Sequence, residues 1–116
     1  LQGLVDQRVP ISGGLQLNST AAPKEMLSAS ATIDFWLKAN GSANVASSSY
    51  IPGLNATLHE FGAGRNGTEV KAYIIHDMGH AWPGSTRVPR WGSDKPPTSF
   101  PGNDIIWEFF KNHPRP

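Results

Sequence analysis

Cysteine is absent from the 116-residue sequence, and charge of either sign is scarce. Without cysteine the chain can form no disulfide, no thiolate zinc site and no cysteine nucleophile. Lysine and arginine number 10 against 9 acidic residues, and the basic stripe that nucleic-acid binding needs is missing. No apolar stretch reaches the length of a membrane span. We therefore expect neither a nucleic-acid partner nor a membrane partner.

The length and composition allow at most one small globular domain in residues 1–116. Apolar residues make up 38% of the chain, and four Trp and five Phe supply bulk for a core. Twelve Gly and ten Pro predict that much of the chain is loop. Residues 1–5 resemble the tail of a buried strand rather than a natural start, so we expect the chain to be part of a longer domain.

Hydrophobic periodicity predicts a short series of elements with α/β character. A strand tail at 1–5 precedes an amphipathic helix at 29–39, which Asn40-Gly41 should end because both residues tolerate the left-handed conformation. A hairpin follows, with strands at 56–61 and 69–75 around the turn signal Asn66-Gly67. Residues 23–25 are expected to open a helix, 104–112 to form a last helix, and 42–52 and 76–101 to be loops. A sheet of two or three strands is incomplete.

Asp6 and His80 are the residues on which the functional prediction depends. Each follows an apparent strand, and we expect both loops to lie at the carboxyl edge of the sheet, where sites of open α/β folds form. A carboxylate placed there fixes the tautomer of an imidazole, and the other ring nitrogen can then deprotonate a serine hydroxyl. Asp before His agrees with the last two members of the α/β-hydrolase order Ser, Asp, His.

Two other interpretations of this region have less in their favour. Asp77 is a rival acid by proximity, but it is too close in sequence to orient His80 easily across a cleft. His76 and His80 have the spacing of helical zinc ligands, yet Gly79 and Pro83 oppose a helix and the glutamate of the zinc motif is absent. We therefore predict no metal site and no organic cofactor.

Four segments carry a resemblance to the polyhydroxybutyrate depolymerase-like and feruloyl esterases, in the order that those proteins have them. They are VDQRVPISGG at 5–14, FWLKANG at 35–41, GHAWPG at 79–84 and IWEFFKNHP at 106–114. These are similar to the acid loop, the following helix, the histidine motif and the terminal helix of the family. The resemblance implies an α/β-hydrolase fold and a secreted serine esterase that acts on polyester, feruloyl or acetyl esters. It also implies that Asp6 is the triad acid and His80 the triad base.

The sequence departs from the family pattern at several positions. Gln2 stands in place of a histidine and Ile11 in place of a tyrosine. Ser42 stands where a cysteine ends the helix, so a disulfide common in relatives is absent. The larger departure is that Gly-x-Ser-x-Gly, the motif of the serine nucleophile, occurs nowhere in the chain. We therefore expect the C-terminal part of an α/β-hydrolase domain, inactive without the segment that carries the serine and the oxyanion hole.

Trp82 is the candidate substrate-binding residue, because it lies two positions after the base and could line the acyl or aryl pocket beside it. Packing of the loop is the alternative role for this side chain. A non-catalytic domain that stacks Trp82 and Trp91 on sugar rings or polymer is the rival function, and a degenerate hydrolase homologue is a third reading. An incomplete sheet also has an open edge, through which the chain could pair with the missing part of its domain or with a second copy.

Four Asn-x-Ser/Thr sequons, at Asn18, Asn40, Asn55 and Asn66, bear on the compartment of the protein. If the source is eukaryotic, they favour a secreted glycoprotein. In a bacterium they indicate only polar, turn-rich loops.

Overall fold

The structure, a computed structural model, describes residues 1–16, 24–43, 46–62, 64–87 and 94–114. Over these ranges the chain is a small mixed α/β domain, which confirms the predicted class at that level. Its strands are β1 Gln2–Gly3, β2 Gly14–Leu15, β3 Glu25–Met26, β4 Ala46–Ile51, β5 Ala56–Phe61 and β6 Val70–Ile75. Its helices are α1 Ala29–Asn40 and α2 Gly102–Lys111, and 3-10 turns lie at Pro52–Leu54 and Arg65–Gly67. Neither described helix has the length and apolar character that crossing a membrane requires.

Four strands form a mixed sheet in the order β1, β6, β5, β4. β5 and β6 are antiparallel, and Asn66 and Gly67 between them have φ angles of 58° and 74°. The predicted hairpin is therefore confirmed. β1 is parallel to β6, with Gln2 opposite Ile74 and Gly3 opposite Ile75. A second sheet in the described part of the chain consists of β2 and β3, which pair antiparallel.

Helix α1 begins and ends where its sequence favours. The Ser28 side chain caps the first turn by accepting a hydrogen bond from the Ala31 amide. Gly41 ends the helix with a φ of 64°, so the predicted stop at Asn40-Gly41 is confirmed. The helix contacts β6, on the face of that strand that carries Val70, Ala72 and Ile74.

The core lies on the other face of the sheet, against α2. Its buried members are Ala56, Ile75, Met78 and Phe100, and Leu54, Tyr73 and Ile105 pack around them. Ile105 belongs to α2, and Phe100 belongs to the segment that leads into that helix. This core therefore ties α2 to the end of β6 and to the first residues of the loop that follows it.

Two predictions of local structure are wrong. Residues 46–51, expected in a loop, form β4, whose backbone pairs with β5 along its whole length. Hydrogen bonds to a neighbouring strand outweigh the low strand propensity of a serine-rich segment at the sheet edge. Glu25, expected where a helix opens, pairs instead with Leu15 of β2, and α1 begins only after Ser28. Residue 23 of that expected opening lies outside the described residues.

The end of β1 lies directly against the loop that follows β6. The amide of Val5 donates to the carbonyl of Met78 at 3.2 Å. A Cβ atom at Gly3 would collide with the backbone carbonyl oxygens of Met78 and Gly79. Glycine at this position therefore permits the approach that sets the path of the chain after β1.

Replacing Gly3 by alanine should destabilise the protein by about 1–3 kcal/mol, the usual cost of overpacking. The clash is with backbone atoms, which cannot rotate away as the end of a side chain would. Urea denaturation measures the free energy of unfolding. Gly62→Ala is the matched control, because a Cβ at Gly62 meets nothing within 4 Å. An equal loss of stability in the two variants would contradict the close approach.

Candidate active site

The candidate site forms where the parallel strands β1 and β6 end side by side. Asp6 follows β1 and His80 follows β6. Parallel strands share their carboxyl edge, so the two loops meet there. The structure thus brings together the two residues that the sequence singles out, although they are 74 positions apart.

A hydrogen bond joins the acid to the imidazole. His80 Nδ1 lies 3.0 Å from Asp6 Oδ2. The other carboxylate oxygen, Asp6 Oδ1, accepts hydrogen bonds from the backbone amides of Arg8 at 2.8 Å and Val9 at 2.9 Å. Asp6 is only 8% exposed, and these three donors offset the cost of taking the carboxylate out of water. The turn at residues 6–9 therefore fixes the direction in which the carboxylate points.

This contact determines which ring nitrogen of His80 carries a proton. A carboxylate only accepts hydrogen bonds, so Nδ1 donates to Asp6 and, in the neutral ring, Nε2 keeps its lone pair. Among the described residues no group hydrogen-bonds to Nε2, and the His80 side chain is 36% exposed. One nitrogen is held and the basic one is unengaged, which is the arrangement of a general base.

The loop that carries this histidine is anchored by the residues that directly follow it. Ala81 and Pro83 are buried, and the Gly84 amide donates to the Pro97 carbonyl at 2.9 Å. A Cβ at Gly102 would lie 2.8 Å from Pro83 Cγ, so the first turn of α2 packs directly on the loop. The imidazole therefore projects from a closely packed backbone.

Asp94 is a residue of this site that the sequence does not identify. Its Oδ2 accepts a hydrogen bond from the backbone amide of His80 at 3.1 Å. It comes from the far end of a long loop, and no motif or spacing distinguishes it from the other polar residues there. Only the fold brings it to the histidine.

Trp82, the predicted substrate-binding residue, follows the base and is 51% exposed. Its indole Nε1 donates to Asn103 Oδ1, near the start of α2, at 2.9 Å. The side chain therefore joins the loop to α2, as its alternative role requires, and half of its surface is accessible to a ligand. Trp91, the second aromatic residue of the rival binding function, lies outside the described residues.

The two other interpretations of this region fit the structure less well. Asp77 is exposed, and the ring of His80 is hydrogen-bonded to Asp6 instead. His76 Nε2 lies 2.9 Å from Thr57 Oγ1, and its ring stacks on Tyr50 with the centroids 5.2 Å apart. In the part of the chain that the structure describes, no three His, Asp or Glu side chains are arranged to hold a metal ion.

No serine among the described residues hydrogen-bonds to the ring of His80. Ser12 lies in a turn after the acid loop. Serines 47–49 lie in β4, at the opposite edge of the sheet from β1. Within the described residues the site holds an acid and a base without a hydroxyl nucleophile beside them.

Comparisons of the chain with protein-family models, with curated proteins and with solved structures found no match in any of the three. The resemblance to the depolymerase-like esterases therefore stays a prediction based on the four sequence segments. The geometry of the site is that of a carboxylate–imidazole pair.

Replacing Asp6 by asparagine should move the proton of the neutral His80 ring from Nδ1 to Nε2. The side-chain oxygen must still face the amides of Arg8 and Val9, so the asparagine NH2 group would point at Nδ1 and donate to it. Imidazole ¹⁵N shifts, measured where the ring is neutral, identify the tautomer. Asp77→Asn is the control and should leave the Nδ1–H form in place. An Nε2–H ring in the unchanged protein would contradict the contact.

Proposed function

We propose that this chain carries the acid and the base of a Ser-His-Asp carboxylic ester hydrolase. The 3.0 Å contact between His80 Nδ1 and the buried carboxylate of Asp6 is the observation that supports this most directly. A surface histidine needs no buried carboxylate, and burying one is unfavourable without several donors. A buried carboxylate in this position orients the imidazole for proton transfer, as the acid of a Ser-His-Asp triad does.

In the proposed reaction, His80 Nε2 removes the proton of a serine hydroxyl as the serine oxygen attacks the ester carbonyl. Asp6 stabilises the imidazolium through the Nδ1 hydrogen bond and does not itself take the proton. The imidazolium then gives its proton to the alcohol oxygen as the ester C–O bond breaks, which leaves an acyl-serine. Water, deprotonated by the same nitrogen, attacks the acyl carbon. The imidazolium returns that proton to the serine oxygen as the acyl–serine bond breaks, which releases the carboxylic acid and the free serine.

The serine comes, in this proposal, from a segment outside the printed sequence. In the described sheet β1 pairs with β6 on one side only, and its other side is an edge. A parallel strand added there would share its carboxyl edge with the strand ends that carry Asp6 and His80, and a serine that faces Nε2 has to lie at that edge. Leu4 and Val5 are 44% and 57% exposed at this edge and offer apolar surface for such a segment to cover.

The same proposal extends to the fold, as the C-terminal part of an α/β-hydrolase domain. Support comes from the order of the elements: a strand followed by the acid, then a helix, then a parallel strand followed by the base. That order matches the acid and the base of the α/β-hydrolase triad. Three of the four sequence segments that resemble the depolymerase-like esterases fall on the acid loop, α1 and the histidine loop, and the fourth falls on α2 and the residues after it.

The substrate we propose is a carboxylic ester of the polyester, feruloyl or acetyl kind. Trp82 lies two positions after the base, its side chain is held by the hydrogen bond to Asn103, and about half of its surface is accessible. A fixed indole surface favours an apolar or aromatic acyl group through contact with its ring face. No cofactor takes part in this chemistry.

Secretion belongs to the same proposal. Among the sequons in the described residues, Asn66 is exposed at the tip of the β5–β6 hairpin, whereas Asn40 and Asn55 are half-buried. Asn18 lies outside the described residues. The hairpin tip is therefore a position at which a glycan would meet open solvent.

The gene should encode a Gly-x-Ser-x-Gly segment upstream of residue 1, and the polypeptide with that segment should hydrolyse p-nitrophenyl esters. His80→Ala should lower kcat by about 10⁴-fold or more, since His80 is the group that deprotonates the serine in this proposal. Circular dichroism should show an unchanged fold. His59→Ala is the control, because that ring bonds to Ser48 within the sheet, and it should leave kcat unchanged.

The polypeptide of residues 1–116 alone should show no turnover of the same esters. Turnover by this chain that His80→Ala abolishes would contradict a serine from outside the sequence. A gene without the Gly-x-Ser-x-Gly segment would contradict the hydrolase altogether. Binding of polymer that depends on Trp82 would then favour the non-catalytic function.

A further inference from the structure

We propose that Asp94 is a positioning residue for His80, and that it holds the backbone of the histidine loop while Asp6 holds the ring. The geometric part of this inference stands on the fold alone. Its consequence for catalysis depends on the proposed function. Two carboxylates that are far apart in the sequence then bind one histidine, Asp6 at the ring nitrogen Nδ1 and Asp94 at the backbone amide.

The contact of Asp94 with the loop is direct. Its Oδ2 accepts a hydrogen bond from the His80 amide at 3.1 Å. A Cβ at Gly79 would lie 2.6 Å from Asp94 Oδ1 and 2.8 Å from Asp94 Cγ. The carboxylate therefore packs on the backbone of Gly79, and the glycine of the motif GHAWPG is what admits it.

The segment that carries Asp94 is itself fixed to the domain. Phe100 is fully buried in the core. The carbonyl of Pro97 accepts a hydrogen bond from the Gly84 amide at 2.9 Å. Residues 94–100 thus lie along the histidine loop, with Asp94 hydrogen-bonded to His80 and Pro97 hydrogen-bonded to Gly84. An aspartate on an anchored segment can restrain its partner, whereas one on a free loop would follow it.

The position of the His80 backbone matters because it determines whether the imidazole can hydrogen-bond to Asp6. Its ring must keep Nδ1 within hydrogen-bonding distance of a carboxylate that the turn at residues 6–9 holds in one direction. A shift of the backbone would lengthen that bond or turn Nε2 away from the serine. Displacements of about 1 Å can cost about 100-fold in rate. Fixing the amide therefore protects the geometry that the ring needs.

The hydrogen bond can be tested in the unchanged protein by NMR. A scalar coupling between the His80 amide nitrogen and the Asp94 carboxylate carbon is expected, because such couplings pass only through a hydrogen bond. Absence of that coupling, with both signals assigned, would overturn the proposal. This measurement needs no variant and no ester substrate.

Variants test the positioning role. Asp94→Ala should raise the hydrogen-exchange rate of the His80 amide about tenfold and broaden the His80 Nδ1–H signal. Asp94→Asn keeps an acceptor oxygen and should restore both readouts. Asp77→Ala, an exposed carboxylate on the same loop, is the control and should change neither. Equal exchange and an equal Nδ1–H signal in Asp94→Ala and the unchanged protein would overturn the role.

Kinetics separate this inference from the proposed function. In the polypeptide that contains the serine, Asp94→Ala should lower kcat about tenfold with KM unchanged, since only the reacting geometry is disturbed. If His80→Ala abolishes turnover and Asp94→Ala has no effect, the positioning role fails while the hydrolase stands. If the NMR coupling is present but no serine segment exists, the hydrolase fails while the contact stands.

Discussion

The parallel pairing of β1 with β6 is the constraint on which the candidate site depends. Only two residues of β1 take part, yet this pairing brings Asp6 and His80 to one edge of the sheet. Glycine at position 3 allows the close approach, and the core around Phe100 fixes the end of β6. A shift of β1 by one residue would exchange the faces of its side chains. The contact between Asp6 and His80 therefore depends on the register in which the short strand β1 pairs with β6.

Two opposing contributions to the free energy of folding meet at the Asp6 carboxylate: its desolvation and the hydrogen bonds donated to it. Burying the Asp6 carboxylate is unfavourable, and it is tolerated because two backbone amides and one imidazole donate to it. The same three donors leave His80 with its proton on Nδ1, so the contacts that make the fold acceptable also set the tautomer. Asp94 adds a second anchor on the amide of the histidine. Among the described residues, Nε2 of His80 therefore has no hydrogen-bond partner, whereas its Nδ1 and its backbone amide are each bonded to a carboxylate.

Local signals in the sequence predict the elements whose cause is local. The helix stop at Gly41 and the turn at Asn66-Gly67 follow from residues that tolerate positive φ, and the two strands of that hairpin follow from their apolar pattern. β4 could not be predicted because its serines pair only by virtue of β5 beside them. The pair Asp6 and His80 could be predicted from strand ends and chain order together with the resemblance of their loops to esterase motifs. Asp94 could not, since an aspartate in an irregular loop gains its role only from the fold.

Covalent labelling tests the central claim most directly, because it reports the nucleophile that the acid–base pair activates. A fluorophosphonate probe reacts with a serine whose proton a neighbouring histidine can take. In the polypeptide that the complete gene encodes, we predict one labelled serine, within a Gly-x-Ser-x-Gly segment. His80→Gln should slow the labelling by orders of magnitude. Labelling at the same rate in His80→Gln, or no labelled serine in the complete polypeptide, would contradict the account.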